Sequence, residues 1–224
     1  PHDVPGLYEA FGTDTFDEMY EKYENAYSVP KKKVSARELI TDLLKERAET
    51  GRIYIMNIDH SNTHSSFLDK VNMSNLCQEI TLPTDPIQHI DGDGEIALCI
   101  LSAINVGVVK DEELEEICDL AVRGLEELID YQEYPVKAAE VSTLARRSLG
   151  IGYIGLAHYL AKNRVKYSDQ SAWSLVHELT EKFQYYLLKS SNQLAVEKGA
   201  CDYFDRTKYA QGILPIDTYK KDVD

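Results

Sequence analysis

The sequence has little cysteine, no long apolar run and few basic residues. Its four cysteines among 224 residues form no C-x-x-C pair and no zinc-finger spacing, which excludes a disulfide scaffold and indicates reduced thiols. No apolar stretch approaches the ~20 residues of a membrane span, and the opening residues lack the basic start and apolar core of a signal peptide. We therefore expect a cytoplasmic protein. The absence of an initiator Met suggests that the chain begins inside a longer polypeptide.

Acidic residues outnumber basic ones, with 38 Asp and Glu against 24 Lys and Arg and a formal net charge of −14. Such a chain repels nucleic-acid phosphates and anionic membrane surfaces, so we expect neither as a partner. A site for one small phosphorylated ligand stays open, because a few local charges are enough to hold it. The hydrophobic content of 43% is that of an ordinary globular domain.

Apolar residues recur at helical spacing in much of the chain. We predict helices over residues 16–27, 36–49, 111–130, 156–161 and 169–197. Ser35 and Glu38 form a capping box before the second of these, and Gly51 ends it. Ser168 and Gly199 are the predicted start and end of the last and longest helix.

Three apolar segments are typical of strands, and they lie mainly in the first half of the chain. We predict strands over 52–58, 74–82 and 95–109, with a turn at Asp91–Gly94 between the last two. The chain is mainly helical from residue 111 on. The pattern predicts one α/β unit with strands early and helices late.

Asn75, Cys77 and Glu79 would share one face of an extended segment, because residues two apart point the same way. Leu76 and Ile80 would share the other face. Burying an amide and a carboxylate beside a thiol is costly without partners, so this alternation makes a functional site one interpretation. A half-exposed strand with a chance cysteine is the other, and the pattern alone favours it.

The other cysteines carry weaker signals. Cys99 lies in an apolar run, where a buried packing role is common for cysteine. Cys118 lies on the apolar stripe of a predicted helix, and we interpret it as packing. Cys201 follows a helix end, and nothing near it in sequence suggests an activated thiol.

We interpret two further motifs as structural. His60 and His64 have the spacing of a zinc pair on a helix, but the Ser, Asn and Thr around them favour a turn. The segment Gly150–Gly155 is a literal G-x-G-x-x-G. No convincing buried strand precedes it, so we expect its glycines to allow close packing of the following helix rather than to bind a nucleotide.

Several segments agree with one family. The most specific are Ser74–Ile80, with its N-x-C-x-E motif, and Gly94–Cys99 downstream. Agreement continues through residues 1–8, 50–55, 146–152 and 212–221. Together they resemble the large, catalytic subunit of class I ribonucleotide reductase, of the aerobic bacterial and bacteriophage type.

The resemblance implies a fold and a set of roles. The fold would be a ten-stranded α/β barrel, of which residues 1–224 form a single segment with a finger loop at about 74–80, so part of the extended segment should be loop. Cys77 would be the transient thiyl radical that removes the ribose 3′ hydrogen, Glu79 the base for the 3′-hydroxyl proton, and Asn75 a hydrogen-bonding partner of the sugar. Cys99 would be one of two cysteines that reduce the substrate. The residues implied to bind substrate are Asn75, Leu76, Cys77, Gln78 and Glu79.

The resemblance also implies partners. The substrate would be a ribonucleoside diphosphate. The radical would come from a small subunit with a di-iron or dimanganese centre, and electrons from thioredoxin or glutaredoxin, with no metal in this chain. The resemblance places the second redox cysteine upstream of this chain, and the radical-transfer tyrosines and a C-terminal cysteine pair downstream of it. Cys118 and Cys201 match none of these cysteines, so the remaining large-subunit segments would be needed for activity. The alternative is a non-catalytic fragment that acts as a structural or interaction module.

Overall fold

The computed structural model describes residues 3–89, 92 and 94–219. The chain divides into two units, the first made of residues up to Ser65, residues 70–81 and those from Pro215, and the second of 66–69 and 82–214. Among the described residues the helices are α1 (Leu7–Ala10), α2 (Phe16–Asn25), α3 (Ala36–Thr50), α4 (Ile58–His64), α5 (Leu114–Tyr131), α6 (Lys137–Arg146), α7 (Leu156–Lys162), α8 (Gln170–Lys198) and α9 (Pro215–Tyr219), and the strands are β1 (Ile100–Asn105) and β2 (Leu149–Ile154). This mixture confirms the predicted α/β class.

The second unit contains a parallel pair of strands. Ile100 of β1 lies opposite Leu149 of β2, and the pairing continues to Asn105 opposite Ile154. Parallel strands need a long crossover, which α5 and α6 supply here. The strand predicted over 95–109 is thus confirmed only in its middle. β2 lies in the part of the chain predicted to be mainly helical, because its two glycines weaken the strand pattern.

α5 and α8 run parallel to each other and form the core of the second unit with the sheet. Ion pairs Glu115–Lys189 and Glu127–Lys198 join them at successive levels. The buried side chains of this core are Ile104, Val106, Leu114, Cys118, Leu179 and Phe183. Both helices are confirmed to within a few residues, as are the shorter α2 and α7.

The helix ends agree with the sequence except at one position. Ser35 caps α3, and Gly51 ends that helix with a left-handed φ of 64°, as predicted. Gly199 ends α8, but the residue before its first turn is Asp169, not the predicted Ser168. Ser and Asp are equally good N-caps, so the sequence pattern could not separate these neighbours.

The strand predicted over 52–58 is wrong. Residues 52–57 form no strand, and Ile58 begins α4. Tyr54 and Ile55 are 48% and 56% exposed. A β-branched run becomes a buried strand only where a partner strand completes its hydrogen bonds, and the described part of the chain gives it none.

The turn predicted at 91–94 lies partly outside the described residues, which exclude Asp91 and Asp93. Gly94 has a φ of 86°, and a Cβ there would lie 2.8 Å from the Cα of Ile87. Only glycine fits such a close approach in this conformation. Immediately after it, Glu95 forms an antiparallel bridge with Asp85.

Candidate active site

A tight loop closed by Asn75 and Ile80 carries Cys77. The Asn75 N–H donates to the Ile80 carbonyl at 3.3 Å, and the Gln78 N–H donates to the Asn75 carbonyl at 3.2 Å. The Ile80 N–H donates to Asn75 Oδ1 at 3.1 Å. The Asn75 side chain therefore completes the loop that its backbone begins.

This loop corrects the strand predicted over 74–82. The chain turns at residues 76–78, so the alternation that placed Asn75, Cys77 and Glu79 on one face of a strand does not hold. The turn agrees with the expectation, drawn from the family resemblance, that part of the segment is loop. Hydrogen-bonding by an Asn side chain to nearby backbone is a common means of replacing a strand with a turn.

The tip of the loop is exposed and locally constrained. Gln78 has a φ of 65°, a left-handed conformation that costs a residue with a side chain about 1–3 kcal/mol. Leu76 is 80% exposed, and both Cys77 and Glu79 are exposed as well. The Cys77 thiol is a free thiol at an accessible position, as a thiol that meets a substrate must be.

Cys99 lies in the second unit, directly before β1, and is half-buried. Its thiol lies 3.8 Å from the Ile100 carbonyl, in the range of a weak hydrogen bond. The Ile100 N–H donates to the Ser148 carbonyl at 3.4 Å, at the start of the pairing with β2. The predicted site residues are thus divided by unit, with Asn75, Cys77 and Glu79 in the first and Cys99 in the second.

The two remaining cysteines lie in surroundings that disfavour the thiolate form. Cys118 is fully buried in the core, and burial raises the pKa of its thiol to about 11. The packing role predicted for it is confirmed. Cys201 is half-buried, and desolvation raises the pKa of its thiol also. Since the thiolate is the nucleophilic form, neither cysteine is activated.

Sequence reasoning missed a buried cluster of charge around Arg146. Arg146 Nε lies 2.6 Å from Glu95 Oε2, and Nη2 lies 2.9 Å from Oε1. Its Nη1 lies 2.9 Å from Asp69 Oδ2, an atom that is also 2.7 Å from Arg206 Nε. The Tyr203 ring covers both guanidinium groups, at 5.0 Å and 4.3 Å. The sequence signal for this cluster is Glu95, a single charged residue directly before the apolar run 96–101.

His60 and His64 lie on α4, so the turn predicted for them is wrong. Their rings are 6.5 Å apart, and His64 stacks on Tyr219 at 4.6 Å. Across residues 3–89, 92 and 94–219, no group of three or more His, Cys, Asp or Glu side chains is placed to hold a metal ion.

The G-x-G-x-x-G motif spans β2 and the start of α7. Gly155 has a φ of 80°, and a Cβ there would lie 2.2 Å from Asn105 Oδ1 and 3.1 Å from the Gly107 nitrogen. The close approach that this glycine permits is therefore to the end of β1. The predicted helix follows the motif as α7, but the motif's first two glycines, Gly150 and Gly152, lie within β2.

The helices of the described region include none with both the length and the apolar character needed to cross a bilayer.

Comparison with known proteins gives one consistent family. The ribonucleotide reductase barrel domain matches residues 1–224. All of this chain is matched by the ribonucleoside-diphosphate reductase subunit alpha of Haemophilus influenzae at 61% identity, over 31% of that protein. Ribonucleoside-diphosphate reductase 1 subunit alpha of Escherichia coli is 55% identical and the subunit alpha of enterobacteria phage T4 is 40% identical, each matched over 30% of its length. The chain thus spans about a third of these curated relatives.

Proposed function

This chain belongs to the ribonucleotide reductase barrel-domain family, and we propose that it forms part of a ribonucleoside-diphosphate reductase, which reduces ribonucleoside diphosphates to 2′-deoxyribonucleoside diphosphates for DNA synthesis. The observation that carries this proposal is the closed loop that presents Cys77 between Asn75 and Glu79. Relatives named as alpha subunits of this enzyme match the whole chain. The alternative, a non-catalytic interaction module, is not favoured by them.

Cys77 is the proposed radical residue. A thiyl radical there takes the 3′ hydrogen of the ribose, because a thiol exchanges a hydrogen atom readily with a carbon next to oxygen. Glu79 accepts the 3′-hydroxyl proton as charge moves in the sugar, which is general-base catalysis by a carboxylate. Leu76, apolar and exposed at the loop tip, would exclude water from the radical when substrate is bound.

Asn75 is proposed to hold the sugar through its amide nitrogen. Its Oδ1 already accepts the Ile80 N–H, so the two N–H groups of Nδ2 are the natural donors to a ribose hydroxyl. Gln78 completes the stretch of five residues proposed to contact substrate. The left-handed backbone of Gln78 helps to fix the directions in which the Cys77 and Glu79 side chains project from the loop.

Cys99 is proposed as one of two reducing cysteines. Replacement of the 2′-hydroxyl by hydrogen, with the oxygen leaving as water, takes two electrons and two protons, and a pair of thiols supplies both in becoming a disulfide. The partner of Cys99 would lie outside this chain, since Cys118 is buried in the core and Cys201 matches no family motif. Thioredoxin or glutaredoxin would return the disulfide to thiols.

The rest of the enzyme is proposed to lie in other segments and subunits. The remaining large-subunit segments would complete a ten-stranded barrel in which residues 74–80 are the finger loop. A small subunit with a di-iron or dimanganese centre would generate the radical. The chain itself would hold no metal, and the assembly would work in the cytoplasm.

The deciding experiment replaces Cys77 in the full-length protein that contains this chain. With the small subunit and a reductant, wild-type protein should convert CDP to dCDP. Cys77→Ser should abolish turnover without unfolding the protein, because serine is nearly isosteric but its O–H bond is too strong to yield a radical. Cys201→Ser is the matched control and should keep near-normal activity. Near-normal dCDP formation by Cys77→Ser would overturn the proposal.

A further inference from the structure

The Arg146–Glu95 pair is the most buried ion pair in the described part of the second unit, with side chains 3% and 5% exposed. The guanidinium meets the carboxylate through two nitrogens and two oxygens, which fixes both distance and orientation. The proposed chemistry uses neither residue. The pair has contacts with two stretches of chain, the one that carries Cys77 and the one that carries Cys99.

The first contact concerns the stretch that carries Cys77. The chain leaves the second unit after Asp69, whose carboxylate is paired with Arg146 at 2.9 Å. It returns at Leu82. Three residues later, Asp85 and Glu95 exchange two backbone hydrogen bonds, of 3.3 Å and 3.1 Å. We call Asp69 and Asp85 the two roots of the stretch 70–81. Arg146 contacts the first root and Glu95 the second.

The second contact concerns the stretch that carries Cys99. This stretch begins at Glu95, whose side chain is held by Arg146. The next residue, Ile96, donates its N–H to the Ala138 carbonyl at 3.2 Å. At the other end, Ile100 pairs onto β2. Cys99 thus lies between an end set by the ion pair and an end set by the sheet.

We propose that Arg146 and Glu95 are positioning residues, which set where the Cys77 stretch leaves and re-enters the second unit and where the Cys99 stretch begins. The catalytic consequence rests on the proposed function; the positioning itself does not. Radical transfer and disulfide formation both depend steeply on distance, so a small displacement of either stretch is costly to the rate.

The residue types suit this task. A bidentate arginine–glutamate pair loses its geometry when lysine replaces arginine, although the charge remains. Arg206 and Tyr203 lie against the cluster, and they help to keep the Arg146 and Glu95 side chains only 3% and 5% exposed. A buried ion pair is weak evidence of added stability, which leaves orientation as the better explanation of its presence.

The test compares two adjacent arginines in the full-length protein. Arg146→Lys removes the bidentate contact to Glu95 and disturbs the single contact to Asp69. Arg147→Lys is the matched control, because Arg147 has its own paired contacts, to Glu126 at 2.5 Å and Asp130 at 2.8 Å on α5, and none with either root. We expect Arg146→Lys to lower kcat on the order of tenfold or more with KM unchanged, and Arg147→Lys to stay within about twofold.

A second measurement needs no turnover. Iodoacetamide labelling of Cys77 and Cys99, followed peptide by peptide, should change by about threefold or more in Arg146→Lys and not in Arg147→Lys, since local order controls access. If Arg146→Lys does not fold, Glu95→Gln keeps the side-chain shape, removes the charge and is measured the same way.

The outcomes are distinct. Unchanged labelling of both cysteines in a folded Arg146 or Glu95 variant overturns the positioning role, as does an equal kcat loss in Arg147→Lys. Wild-type protein that makes no deoxyribonucleotide overturns the proposed function, while the labelling result still decides the positioning role.

Discussion

Asn75 Oδ1 accepts a hydrogen bond from the Ile80 N–H at 3.1 Å, across the loop that has Cys77 at its tip. The same two residues are joined through their backbones, from the Asn75 nitrogen to the Ile80 oxygen. Asn75 therefore has two separable tasks, to close the loop with its oxygen and to offer its nitrogen to a ligand. Replacements that keep one atom and remove the other distinguish these tasks.

Asn75→Asp should keep the loop closed but lose the donor to the sugar, whereas Asn75→Ala should lose both. The Ile80 amide should exchange with solvent deuterium about fivefold faster in Asn75→Ala, from a hydrogen bond worth about 1 kcal/mol, and at the wild-type rate in Asn75→Asp. Both variants should lose turnover. Normal Ile80 protection in Asn75→Ala would show that the side chain does not hold the loop.

Glu79→Gln should slow the chemical step far more than it weakens substrate binding. The amide keeps a hydrogen-bonding side chain of the same shape but cannot accept a proton. General-base catalysis is typically worth 10²–10⁴-fold, so we expect a loss on the order of a hundredfold or more in kcat at similar KM. Steady-state kinetics on full-length protein measures both, and a change confined to KM would mean that Glu79 only binds.

Cys99 should become oxidised during turnover, and Cys118 and Cys201 should not. Cys118 is buried and its thiol pKa is raised to about 11, so at neutral pH it is neither accessible nor ionised. Thiol labelling before and after a single turnover without reductant, followed by peptide mapping, tests this. Oxidation of Cys118 or Cys201 instead would place the redox pair elsewhere.

Local patterns in the sequence are enough to predict the longest helices, although α4 and α6 are missed. α5 and α8 each repeat apolar residues at helical spacing, and that periodicity is contained within the segment itself. Strands depend on partners elsewhere in the chain. The run 52–58 has strand composition but no described partner, while β2 has two glycines and still pairs with β1 along its whole length.

The site divides in the same way. The residues 75–79 are adjacent in the chain, so their grouping is evident from the sequence alone, whereas their turn geometry is not. Arg146 and Glu95 lie 51 positions apart. No periodicity connects two such residues, because the contact is made by the pairing of β1 with β2 and the packing of the segments before them.

The last prediction concerns the 224-residue chain alone. It should make no deoxyribonucleotide with any radical generator, because the second reducing cysteine and the radical-transfer tyrosines are proposed to lie in other segments of the enzyme. The chain should also self-associate as its concentration rises. Among the described residues, β1 and β2 pair only with each other, which leaves two open sheet edges, and Leu101 and Ile154 are 58% and 54% exposed.

Light scattering, and a dCDP assay with the small subunit and a reductant present, each with and without the remaining large-subunit segments, test both parts of this prediction. Adding those segments should restore solubility and activity together, because the contacts that cover the sheet edges would also complete the proposed barrel around Cys77. A segment mixture carrying Cys77→Ser is the matched control, since it should regain solubility without activity. A monodisperse 25.4 kDa monomer that forms dCDP unaided would contradict the proposal that this chain is one part of a larger catalytic unit.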